Sequence, residues 1–303
     1  MRLSDYFSKE NILRDSEFLA LGLSNTHGVD GLLSFLDSPR YAGELKTNPN
    51  ICAVICTADD VESLPAHIRG VVVSEQPRRT YFELHNRLST RRAYAPRADT
   101  PSKIPESCTV SPLASIDPCG VELGENVVVE EFVSIKGPCR IGANSVIHAG
   151  TKIGGAGYEF KYFGDEVLDV AHCGRVDIGE DVIVWENTTI HRAVYPWDTT
   201  RIGTKTRVGA QSHIDHGVKI GNCVKICAGC VVSGRTEIGD HAYIGPGSVL
   251  SNRIQVGEGA HTVLGSVVTK DVPAGEIVSG NFAIEHEKHL NAVKALSKKV
   301  DKE

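Results

Sequence analysis

Residues 202–268 read IGTKTRVGAQSHIDHGVKIGNCVKICAGCVVSGRTEIGDHAYIGPGSVLSNRIQVGEGAHTVLGSVV. An aliphatic residue or its equivalent returns there at every sixth position: Ile202, Val208, Ile214, Ile220, Ile226, Val232, Ile238, Ile244, Leu250 and Val256, then Thr262 and Val268. A period of six is neither the 2 of a half-buried strand nor the 3.6 of an amphipathic helix. It predicts a parallel β-helix in which each hexad makes one short strand and one corner, and three hexads close a triangular coil. Residues about 18 apart then stack, coil on coil, at a spacing of about 4.8 Å. The aliphatic column fills the interior, the corners are free to carry chemistry, and such prisms coil left-handed against the usual crossover rule.

The same phase runs back through Val110, Ile116, Leu123, Val129, Ile135, Ile141, Ile147 and Ile153, with a one-residue slip before Leu123. Two segments break it, 154–177 and 191–201, on either side of the in-phase Ile178, Val184 and Ile190. Segments extruded from a regular solenoid usually sit over a site, and both lie ahead of His216. Residues 1–95 lack hexads and read as a small α/β domain, with strands at 18–21, 51–55 and 70–73 and helices at 38–46 and 80–88. A Pro- and Ser-rich stretch, 96–107, reads as a linker, and the β-helix is assigned to 108–280. A last helix, 281–303, carries Leu290, Val293, Leu296 and Val300 on one stripe and so asks for a partner. The fold class expected is mainly β: a left-handed parallel β-helix preceded by a small α/β domain and followed by a C-terminal α-helix.

A net charge of -6 and a pI near 6.1 argue against bulk nucleic-acid or anionic-membrane binding. The amino terminus has no apolar core of signal-peptide length, and no apolar run approaches a membrane span, so a cytoplasmic protein is expected. The 9 Cys then read as reduced small hydrophobes. The one close group, Cys223, Cys227 and Cys230, falls where small residues pack and is read as core rather than as a metal site.

The hexads, the segments LSFLDSPRYAGEL and IPESCTVSPLASIDPCGVELGENV, and the block NTTIHRAV, TTRIG and HIDHGVKIG carry a resemblance. They are similar to the hexapeptide acyltransferases, and in particular to the UDP-3-O-(3-hydroxyacyl)glucosamine N-acyltransferase family of lipid A biosynthesis. That resemblance implies an N-acyltransferase that moves an acyl group from a thioester, either acyl-CoA or acyl carrier protein, to a nucleotide-linked amino sugar. The product would serve lipid A or surface polysaccharide. It implies His216 as general base and Gly234, one coil above, as donor to the developing oxyanion. Phe35 and Tyr41 stand at the pair of rings that holds the uracil. The chain departs from the family at Ser38, where a base-contacting Asn is usual, and at Arg253, where a second histidine is usual. A Gly-Phe-Gly-Phe loop reads Gly157-Tyr158-Glu159-Phe160, and the C-terminal arm is reduced to one helix. The resemblance also implies a homotrimer with active sites between subunits.

Acyl transfer from a thioester needs a base near neutral pKa and donors for the charge on the thioester oxygen, and no metal. His216 lies two places after Ile214, at a corner, with Asp215 at hand to orient its ring. Gly234 is also explicable as a corner glycine, Phe35 and Tyr41 as core residues, and Asn252 as a corner residue in a left-handed conformation. Asn252 and Arg253 are otherwise placed to meet the donor's phosphopantetheine or phosphate. His191 and His213 are read as packed or solvated more readily than as lining the cleft, and His172-Cys173 not as a nucleophile. Two other functions compete: a non-catalytic scaffold, and a metal-dependent β-helix hydratase. The hydratase needs three converging His, yet His213 and His216 share one corner and no third His lies one regular coil from either.

Overall fold

The computed structural model describes residues 1–95, 99–280 and 286–300. From Thr109 onward the chain is the expected triangular prism. Its strands, two to four residues long, stack into three parallel faces of eight, seven and nine strands. Where the hexads are unbroken the register advances by one three-hexad coil at a time, from His213 to Val231, Val249 and Val267. Every hexad position from Ile202 to Val268 is buried, in one continuous aliphatic column. Burying one such side chain is worth about 1.5–3 kcal/mol, so the column explains why strands this short persist. Thr262, the polar member, accepts a hydrogen bond from the Gly245 N–H at 3.1 Å and so meets the condition on which a hydroxyl can be buried.

The two extruded segments lengthen the coil. Lys152 pairs with Thr189, and Thr189 with His213, where unbroken hexads would have set Lys152 against Val170 and Thr189 against Arg207. The first excursion folds into an antiparallel hairpin, Phe160–Phe163 against Glu166–Asp169.

The small domain is a five-stranded sheet. Its strands are β1 (Ile12–Arg14), β2 (Ala20–Leu21), β3 (Leu32–Phe35), β4 (Ile51–Cys56) and β5 (Gly70–Val73), in the order β1-β5-β4-β3-β2 and with only β1 antiparallel. Helix α1 is Ala42–Thr47 and α2 is Pro77–Ser89. Three expectations need correction here. The helix expected from residue 38 opens instead as a 3-10 turn, Pro39–Tyr41, because the Ser38 hydroxyl accepts the Arg40 N–H and holds Ser38 extended. Strand 18–21 shortens to its last two residues, since Phe18 and Leu19 hydrogen-bond outside the ladder. Strand β3, unmarked by alternation because its first three residues are all buried, was not anticipated.

From Thr100 the stretch read as a linker lies on the first coil. Pro101 bridges Cys119, Lys103 bridges Glu122, and the Lys103 N–H donates to the Val121 carbonyl at 2.8 Å. At the other end, helix α3 spans His286–Val300, while 281–285 and 301–303 lie outside the described residues. On its stripe, Leu290 and Val293 are exposed, and the side chains of Leu296 and Val300 lie outside the description.

The excursions hold the small domain on the prism. Val170, Val194 and Tyr195 join its core beside Tyr81 and Phe82. The buried Tyr81 hydroxyl donates to Tyr195 Oη at 2.9 Å, Trp197 Nε1–H donates to the Leu21 carbonyl at 2.8 Å, and Asn86 bonds both Asp169 O and Ala171 N. The carboxyl end of parallel strand β3, where open α/β sheets characteristically bind ligands, therefore faces the corner that carries His216.

Candidate active site

His216 sits at the turn after Ile214, 8 % exposed. Its Nδ1 lies 3.0 Å from Asp215 Oδ1, the same oxygen that accepts the His216 backbone N–H at 2.7 Å and a bond from His191 Nδ1 at 3.2 Å. An ionised carboxylate only accepts, so the proton is on Nδ1 and the lone pair of His216 is left on Nε2. Burial pushes the Asp215 carboxyl up, but the donors from His191 and His216 outweigh it and hold the group well below the usual carboxylate range.

Two glycines enclose the imidazole. A Cβ at Gly234 would lie 2.7 Å from His216 Cε1 and Nε2, and one at Gly157 would lie 3.2 Å from Nδ1 and 2.6 Å from Asp215 Oδ1. Gly234 does not have a left-handed backbone; it is glycine because the ring leaves no room for a side chain. Its neighbours Ser233 and Arg235 donate their N–H groups to Leu250 and His216 carbonyls, whereas the Gly234 N–H has no partner among the described residues. The residue with positive φ one coil higher is Arg253, at 62°, so a left-handed Asn252 is not what the corner uses.

His216, Gly234, Asn252 and Arg253 line one cleft of about 310 Å³ together with Glu159 and Tyr195. Phe35 and Tyr41 line a second, of about 180 Å³, with Asp37, Arg78 and Lys161. Leu23, Phe82, Glu159 and Arg253 belong to both walls, so the two clefts adjoin. Phe35 also packs its ring on Tyr81 and Phe82, at 4.9 and 5.9 Å between centroids, which makes it both core and lining. Ser38 is half-buried and is not among the residues lining this cleft; its hydroxyl accepts the Arg40 N–H.

Three cleft residues, Glu159, Arg78 and Lys161, were given no role from the sequence, and His172, considered there only as a nucleophile, packs on the His216 ring instead. Glu159, in the Gly157-Tyr158-Glu159-Phe160 loop, places Oε2 3.8 Å from His216 Nε2 and forms an ion pair with Lys161. Arg78 and Lys161 add two cations to Arg253, and burial, partly offset by Glu159, lowers the Lys161 pKa. His172 packs edge-on against His216, 5.6 Å between ring centroids. Its Nδ1 donates to the Val170 carbonyl at 3.0 Å, while its buried Nε2 has no partner among the described residues. Burial first, then the neighbouring His216, bring the His172 pKa down to about 4.

The coil arithmetic fails at His191. With Thr189 opposite His213, the ring of His191 meets that of His213 at 4.9 Å between centroids, so a third histidine does join this corner. Among the described residues, His191, His213 and Asp215 form the one group of His, Cys, Asp or Glu side chains arranged to hold a metal ion. All the cysteines are free, and Cys230 is buried in the prism core.

A model of the bacterial transferase hexapeptide (six repeats) matches residues 120–155 and 199–234. Fold and repeat thus make this a left-handed β-helix chain with hexapeptide repeats in the matched segments. Among curated proteins it resembles the UDP-3-O-acylglucosamine N-acyltransferases. That of Polynucleobacter asymbioticus is 28% identical over 222 residues, 61% of this chain and 61% of the relative. That of Herminiimonas arsenicoxydans is 23% identical over 259 residues, 74% of this chain and 72% of the relative. An acyl-[acyl-carrier-protein]--UDP-N-acetylglucosamine O-acyltransferase of Saccharophagus degradans is 32% identical over 130 residues, 42% of this chain and 47% of the relative. Against the first three curated relatives the chain spans 47%, 61% and 50% of their length. Of solved structures, the UDP-N-acetylglucosamine acyltransferase of Francisella novicida matches with a TM-score of 0.50 at 25% identity, covering 59% of this chain and 65% of that one. Neither the scaffold nor the hydratase alternative is favoured by these likenesses.

Proposed function

We propose that this chain is an N-acyltransferase that moves an acyl group from a carrier-protein thioester to the amino group of a nucleotide-linked amino sugar in lipid A biosynthesis. The observation that carries the reading is the pair of adjoining clefts, with an aromatic end at Phe35 and Tyr41, cations midway, and a histidine with a free Nε2 at the far end. The base of the nucleotide lies against Phe35 and Tyr41, with Ser38 at the rim. Its diphosphate meets Arg253, Arg78 and Lys161, and the amino sugar reaches His216. Arg253 borders both clefts, which favours a role toward the nucleotide over the donor role inferred from sequence.

In the reaction the amine nitrogen attacks the thioester carbonyl as His216 Nε2 removes its proton. The Gly234 N–H donates to the oxyanion, with Asn252 beside it toward the pantetheine arm. Collapse breaks the C–S bond, and the imidazolium returns the proton to the thiolate. Asp215 keeps the lone pair on Nε2 and faces the imidazolium while it exists, and Glu159 receives the substrate ammonium, which gives its first proton to solvent before the free amine attacks. A general base of this kind is worth about 10²–10⁴ in rate.

The assembly proposed is a homotrimer. It is supported by the flat prism face whose outward residues Val249 and Val267 are exposed, and by the exposed Leu290 and Val293 of α3. Among the described residues no helix is long and apolar enough to cross a membrane, and the proposed setting is the cytoplasm. The substrate reading is tested by thermal unfolding with UDP-linked and dTDP-linked amino sugars. A UDP amino sugar at about 100 times its Kd stabilises by about 2.7 kcal/mol. No shift with any nucleotide sugar contradicts the reading.

A further inference from the structure

The corner that carries His216, with His191 from the coil below, brings together three side chains that the transfer chemistry does not use as a set. Two imidazoles, His191 and His213, and the Asp215 carboxylate present donor atoms that all lie within 4.8 Å of one another. One pair, His191 Nδ1 and Asp215 Oδ1, is already 3.2 Å apart, close to the separation of about 3.3–3.5 Å that bonds of about 2.0–2.2 Å set between ligands of a tetrahedral zinc ion. The ring nitrogens of His213 have no hydrogen-bond partner among the described residues, and neither has His191 Nε2. Asp215 Oδ1 accepts three donors, whereas Oδ2 accepts none among the described residues. Both histidines are only partly buried, so an ion has access.

We propose that His191, His213 and Asp215 bind one divalent transition-metal ion per chain, with zinc the best match to two imidazoles and a carboxylate. This donor set leaves a coordination position for water, and it disfavours magnesium and calcium, which take oxygen-rich sites. The rings close on the ion by rotation about χ2, a broad torsion for histidine. A cation on Asp215 also draws away the carboxylate that orients His216. On the reading of His216 given above, metal binding and acyl transfer therefore oppose one another.

The test uses the full chain, without a polyhistidine tag, stripped by chelator and titrated with cobalt(II) and then zinc. One equivalent of cobalt is expected, with the intense d–d absorption of a low-coordinate site that zinc then bleaches. His213→Ala and His191→Gln each weaken binding by at least about 10-fold, the lower bound for losing even an outer-sphere partner of a ligand. His216→Ala binds as the unaltered chain does. Lack of saturable binding overturns the proposal, and so does undiminished binding by a correctly melting His213→Ala or His213→Gln variant. Binding lost in His216→Ala but kept in His213→Ala also overturns it, since the ion would then belong to the catalytic histidine. These readouts need no turnover, so they fail or succeed separately from the acyltransferase reading.

Discussion

Replacing Gly234 by Ala tests the His216 corner with one added methyl. The new Cβ would lie 2.7 Å from Cε1 and Nε2 of the imidazole, whereas ordinary carbon contacts begin near 3.5 Å, so the ring must retreat by about 0.8 Å. It has little room, because Gly157 closes its other side and Asp215 holds Nδ1 at 3.0 Å. A misplacement of about 1 Å at a reacting group costs about 10² in rate, or about 2.7 kcal/mol of barrier. The overpacking itself costs stability by about 1–3 kcal/mol. The assay is steady-state amide formation from an acyl carrier protein thioester, alongside thermal unfolding. The expectation is a kcat lowered by about 30- to 100-fold with KM for the nucleotide sugar nearly unchanged, since Phe35 and Tyr41 are untouched. A folded Gly234→Ala enzyme with kcat within about threefold of the unaltered chain would refute the argument that this ring does the chemistry.

Phe35→Ala and Tyr41→Ala should raise KM for the nucleotide sugar with kcat little changed, the pattern of lost uniform binding; unchanged KM with a lowered Tm would return both rings to the core alone. Arg253→Ala should raise the same KM by about 10- to 100-fold, the worth of a charge-assisted hydrogen bond of about 1.5–3 kcal/mol, and should leave KM for the acyl donor alone; the reverse pattern would restore the donor role. His172 supplies a pH test. Its folded pKa of about 4 lies below the ordinary 6.5, so the unfolded chain takes up a proton first as pH falls. Its contribution is whole above pH 6.5 and is lost on descent toward 4, the loss reaching about 2 kcal/mol by pH 5. Urea unfolding at pH 7 and pH 5 should therefore show a smaller acid loss for His172→Gln, and an identical loss would remove His172 as its source. Buried His85 and half-buried His213, both lowered first by burial, add losses of the same sign.

The prism was legible because a period of six has one structural meaning, and stacking at three hexads to the coil correctly brought Gly234 onto His216 and Arg253 two coils above it. The same rule concealed His191, because the excursion ahead of Arg201 stretches one coil beyond three hexads and inserts a partner that no fixed spacing finds. Glu159 and Lys161 reach the cleft, and His172 the back of the His216 ring, from the first excursion, whose path is set by docking on His85 and Asn86 rather than by any local pattern. Arg78 comes from α2, where its neighbours gave no sign of the cleft. Gly234 could be read either as a corner glycine or as a functional one; only the distance to the His216 ring decides between them.

The central claim is that His216 Nε2 takes the proton from a nucleotide-linked amine as the acyl group arrives. It is tested most directly by single-turnover transfer of a labelled acyl group from its carrier-protein thioester to a UDP amino sugar, for the unaltered chain and for His216→Ala. The unaltered chain is expected to give a labelled, hydroxylamine-stable amide, and His216→Ala a rate lowered by about 10²–10⁴ at unchanged nucleotide-sugar affinity. Amide formation by His216→Ala at the rate of the unaltered chain would contradict it.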